Sequence, residues 1–102
     1  MQDKQSVAAI MDEEMGELRT LIDRFKSFRD AEDLDGMNEV RPKMIKQMQT
    51  CRNVVGGYLQ DGLFSGNEGR TWMSSLRTLC AQVEELAPHN GTPATTPALS
   101  LI

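Results

Sequence analysis

The sequence predicts an all-α fold: an antiparallel three-helix bundle, or a helical hairpin plus a third helix that dimerises, with a disordered C-terminal tail. Three observations carry this expectation. Apolar residues recur at spacings of three and four in three separate segments. The segments are parted by short stretches with turn chemistry, and the composition changes abruptly after Pro88. A length of 102 residues leaves room for one domain.

The first helix is expected over about 5–30. Ala8, Met11, Met15, Leu18, Ile22 and Phe25 form its seam, and Ile10, Leu21 and Phe28 widen that seam enough to touch two neighbours. Asp12, Glu13, Glu14 and Glu17 fall early and Arg24, Lys26 and Arg29 late, an order that complements the helix dipole. Residues 30–38 read as an acidic connection ending in turn residues.

The second helix is expected to begin between Asn38 and Pro42, because proline fits only a first turn and biases Arg41 away from helical geometry. It is placed at about 40–61, with Met44, Met48, Cys51, Val55 and Tyr58 as its seam and Gly62 as its stop. Ser65 and Glu68 have the spacing of a capping box for a third helix over 66–87. Its seam is Trp72, Leu76, Leu79, Val83 and Leu86, and Pro88 ends it. Residues 1–88 are therefore read as the domain and residues 89–102 as a flexible tail.

Most specialised chemistry is excluded by residue type. The one histidine, His89, falls in the tail, and neither Cys51 nor Cys80 has a positioned base beside it, so no catalytic residue is assigned. Structural zinc needs about four Cys or His ligands; two distant cysteines and one histidine do not supply them. Ala31 and Pro42 occupy the two end positions of a would-be calcium loop centred on Gly36, where carboxylates are required. No metal, no cofactor and no enzyme activity is expected. The cysteines lie on apolar faces and are read as free thiols in a reducing, cytoplasmic setting. No apolar run is long enough for a membrane span, and no secretion signal is visible.

Leu18-Arg19-Thr20-Leu21-Ile22-Asp23 resembles the opening helix of chorismate mutases, over those six residues only. The first helix ends too soon for that family, and its remaining cationic and Glu/Gln partners have no counterparts here. The general layout is also similar to the small helical silencing suppressors of nodaviruses, whose tails likewise contain proline and threonine, as at Pro93, Thr95, Thr96 and Pro97. That resemblance implies binding of double-stranded RNA. The net charge of −4 runs against it.

Two surfaces remain as candidates. From Val40 to Gln60 the chain carries Arg41, Lys43, Lys46 and Arg52 and no acidic residue. Lys43 and Lys46 project together, as do Arg41 and Arg52, so Lys43, Lys46 and Arg52 are the phosphate-contacting candidates if nucleic acid is the partner. The apolar excess of the first helix, seven methionines and a loop phenylalanine point instead to a protein partner or a second copy. Arg41, Arg52, Phe64 and Trp72 are the residues expected to meet it. The leading expectation is a non-enzymatic, self-associating adaptor, inhibitor or assembly chaperone, with a nucleic-acid-binding hairpin second. Ser100-Leu101-Ile102 has the form of a terminal-carboxylate ligand, though a plain tail explains it as well.

Overall fold

A computed structural model describes residues 3–87, which fold as three helices: α1 Lys4–Asp30, α2 Leu34–Gln60 and α3 Asn67–Leu86. The tail, with His89 and Ser100-Leu101-Ile102, lies outside the described residues.

Helix α1 begins where the Asp3 carboxylate accepts a 2.7 Å hydrogen bond from the Ser6 amide. That bond holds the Asp3 carboxyl below its ordinary pKa. The helix buries Val7, Met11, Met15, Leu18, Ile22 and Phe25, the expected seam with Val7 in place of the half-buried Ala8. It closes in a Schellman arrangement. The Asp33 amide bonds the Phe28 carbonyl at 2.8 Å and the Glu32 amide bonds the Arg29 carbonyl at 3.0 Å, with Glu32 at φ +59°.

Asp33 then serves at once as the N-cap of α2, its Oδ1 accepting from the Gly36 amide at 3.0 Å. The connection is thus Ala31–Asp33 and not residues 30–38, and α2 starts at Leu34 and not in the 38–42 window. The reason is packing. Gly36 and Val40 are buried and Met37 is half-buried, so carrying the helix back to Leu34 extends the core by two turns. Pro42 is consequently inside the helix, on its exposed side. An interior proline costs a helix roughly 3 kcal/mol, and burial of a side chain such as Val40 returns about 1.5–3 kcal/mol. The Asp33 cap and the other buried positions of that segment make up the remainder.

After Gln60 the chain turns through Gly62 at φ +78°, as expected for its left-handed role. The capping box expected at Ser65 does not form. Gly66 is the N-cap, at φ +59° and ψ −128°, and no side chain caps the helix there. Beginning at Asn67 puts Glu68 in that first turn, where it pairs with Lys4 instead.

The core is one cluster drawn from all three helices, together with Phe64 from the α2–α3 connection. The sequence pattern set the seams of α1 and α3 well, because both are uninterrupted amphipathic repeats. Among the described residues no helix is long and apolar enough to cross a membrane.

Candidate interaction surface

Helices α1 and α2 form the hairpin that positions everything else. Their register is fixed by contacts along its length: Gly36 against the Phe28 ring, Arg41 over the Phe25 ring at 5.6 Å, and the Cys51 thiol donating to the Glu14 carbonyl at 3.2 Å. The Gln47 amide nitrogen donates to the Glu14 carbonyl and to its Oε1, both at 2.8 Å. These pairs march in opposite directions along the two helices, as a three-residue connection demands.

Helix α3 covers one side of this hairpin. On α1 it meets the side carrying Arg19, Ile22 and Lys26, across a groove of about 460 Å³ whose α3 wall includes Ser75, Thr78 and Gln82. On α2 it lies near Leu59, which sits with Gly69, Met73 and Arg77 around a second groove. The opposite side of the hairpin carries a different set. At about 100° per residue, α1 presents Ile10, Glu13, Glu17, Leu21, Arg24 and Phe28 there. Helix α2 presents Glu39, Lys43, Lys46, Thr50, Val54 and Gly57. Ile10, Leu21, Phe28 and Val54 are half-buried, while the charged members of both rows are exposed. A shallow depression of about 410 Å³ opens at the end of the α2 row, lined by Asn53, Val54, Gly57 and Tyr58 among others.

Lys43 and Lys46 therefore share the open face, as their spacing predicted. Arg52 does not join them. It lies toward α3, close enough to Cys80 for its charge to oppose the upward shift that burial gives that thiol. Arg41 is half-buried, held over Phe25 and donating to the Asn38 side chain at 2.6 Å. Phe64 is 6% exposed and plugs one end of the bundle. Its ring lies 5.9 Å from that of half-buried Trp72, and Lys4 sits 5.8 Å from its centroid while pairing with Glu68 at 2.7 Å. The four residues expected to meet a partner are thus spread over different places. Phe64 and Trp72 come together, Arg41 is tied to the α1–α2 seam, and Arg52 stands apart.

The open face was only half legible. Ile10, Leu21 and Phe28 were legible as a widening of the α1 seam, and Lys43 and Lys46 as a pair. That the two rows adjoin depends on the register of α1 against α2, which the short Ala31–Asp33 connection sets. Among large apolar side chains of the described residues, Leu34 is the exposed one, at 70%. The apolar excess is therefore half-covered within the chain and not laid bare.

Both cysteines are free thiols, Cys51 buried and Cys80 half-buried. Burial, followed by the nearby Glu14 carboxylate, pushes the Cys51 thiol up to about 11. A thiol so raised is a poor nucleophile at neutral pH.

The geometry defines an all-α protein of three helices with one uncovered hairpin face. Comparison with protein-family models, with curated proteins and with solved structures finds no match.

Proposed function

We propose that this chain is a non-enzymatic helical interaction module, in a reducing cytoplasmic setting, that works through the face of the α1–α2 hairpin left uncovered by α3. The carrying observation is the composition of that face. A ridge of half-buried apolar side chains, Ile10, Leu21, Phe28 and Val54, runs between exposed charges that form no ion pair within the described residues. An apolar centre with a charged rim is the anatomy of a protein–protein interface. The burial of Cys51 and half-burial of Cys80, with both thiols raised by that burial, support a structural role for the cysteines.

The test is a pair of surface variants. Leu21→Lys with Val54→Lys on the open face is expected to abolish capture of partners from the native host, with helicity unchanged. Arg70→Glu with Thr71→Lys on the exposed side of α3 is expected to leave capture intact. Equal loss in both would overturn the assignment.

A second reading has its own observation. Lys43 and Lys46 are exposed beside Thr50, and no acidic residue occurs from Val40 to Gln60, so this strip suits a phosphate backbone. Duplex RNA binding at low and moderate salt tests it. Steep salt dependence, lost in Lys43→Glu with Lys46→Glu but kept in Arg52→Glu, would favour this reading over the first.

A further inference from the structure

The occupant of the open face follows from the order of its charges. Each row reads as a sequence of characters along its helix. On α1 the order is Ile10, then Glu13 and Glu17, then Leu21, then Arg24 and Phe28. On α2, read from its C-terminal end, the order is Val54, then Thr50, then Lys46 and Lys43, then Glu39. The register set by Phe28 with Gly36, Phe25 with Arg41 and Glu14 with Cys51 brings these rows to matching heights. Ile10 is level with Val54, Glu17 with Lys46, and Arg24 with Glu39. At these three heights the two helices carry like character where they are apolar and opposite charge where they are charged. The exception is Lys43, which stands level with Leu21.

We propose that this face docks a second copy of the chain about a two-fold axis parallel to the helices, so that α1 of each copy lies over α2 of the other. This rests on the reading of the α1–α2 face as a docking surface and names its partner. The operation lays Glu17 over Lys46 of the second copy, Arg24 over Glu39, and Ile10 over Val54. None of Glu17, Lys46, Arg24 or Glu39 takes part in an ion pair within the described residues, and all four are exposed. The other two-fold available to a face-to-face pair, perpendicular to the helices in the plane of the interface, would set α1 on α1 and α2 on α2. With the axis at the level shared by Glu17 and Lys46, it would stack each of these charges on its own copy. Charge therefore favours the axis parallel to the helices over a perpendicular one crossing at that level. The side chain missing at Gly57, where an added Cβ would meet nothing within 4 Å of its own chain, leaves room at the end of the α2 row for the first turns of the opposing α1.

Sedimentation equilibrium of the full chain with three variants tests this. The unaltered protein is expected to be a dimer at micromolar concentration. Glu17→Lys alone and Lys46→Glu alone are each expected to weaken the dimer by at least about tenfold. The double variant is expected to restore it, since exchanging both charges preserves the pairing across the axis. A monomer at every concentration would overturn the second copy as occupant, while host capture by the open-face variants separately decides whether the face docks anything. A dimer indifferent to both single variants would overturn the face. Single losses without restoration in the double variant would overturn the orientation.

Discussion

A Cβ added to Gly36 would sit 2.5 Å from two carbons of the Phe28 ring. The two residues lie either side of the three-residue connection, and their contact closes the hairpin on which the open face is built. Gly36→Ala is expected to destabilise the fold by about 1–3 kcal/mol, the ordinary cost of forcing an extra carbon into a packed position. Phe28→Ala in the same chain makes room, so the double variant is expected to lose less than the sum of the single losses. Denaturant unfolding of the four proteins in that cycle measures the coupling. Strict additivity would show that the two residues do not touch.

Glu32 holds a left-handed backbone, φ +59°, at the Schellman position that closes α1. A side chain there costs roughly 1–2 kcal/mol that glycine does not incur. Glu32→Gly is therefore expected to raise stability by up to about 1 kcal/mol, once glycine's larger unfolded-state entropy is set against that cost. Thermal unfolding reads the sign. A fall in the midpoint would mean that the connection is not closed in this way.

Pro42 stands inside α2 on the solvent side. If the helix runs unbroken from Leu34, Pro42→Ala removes a helix penalty of roughly 3 kcal/mol and stabilises the protein by about 1–3 kcal/mol. If the chain instead entered its helix between Asn38 and Pro42, as the sequence pattern suggested, proline would stand in the first turn, where it is tolerated, and alanine would gain little. Circular dichroism with urea unfolding separates the two.

The Cys51 thiol is raised in the folded state from its ordinary value of 9.0 to about 11, chiefly by burial and then by the Glu14 charge. A raised thiol favours folding in its neutral form. Its contribution is complete below pH 9 and is lost as pH rises through about 11. The stability difference between the unaltered protein and Cys51→Ala is thus expected to shrink between those two values. Alkylation at neutral pH is expected to reach half-buried Cys80 before Cys51. Fast labelling of Cys51 would contradict its burial.

The misreadings of the sequence share a cause. Met37 and Val40 carried the true start of α2, but Asp30 to Asp35 and Pro42 are strong local breakers and outweighed two apolar residues. Tertiary burial decided otherwise. At the start of α3, Ser65 and Glu68 had the right spacing for reciprocal capping, yet the helix began one residue later, and Glu68 had a long-range partner in Lys4. Phe64 could be read as a bundle plug or as an exposed anchor, because burial of a loop side chain depends on where α1 ends up. The seams of α1 and α3 had no such competition. The open face required both its residues, which were legible, and the inter-helix register, which was not.

Zero-length carbodiimide coupling between isotopically light and heavy copies of the whole chain tests the open face most directly. Such a reagent joins a carboxylate to an amine already in contact, and a mixed-label peptide can only come from two molecules. The expected product links Glu17 or Glu13 of one copy to Lys46 or Lys43 of the other, and disappears in Lys46→Glu with Lys43→Glu. Mixed-label links confined to Lys4, Lys26 or the α3 carboxylates would contradict the assignment, as would a complete absence of mixed-label product at micromolar concentration.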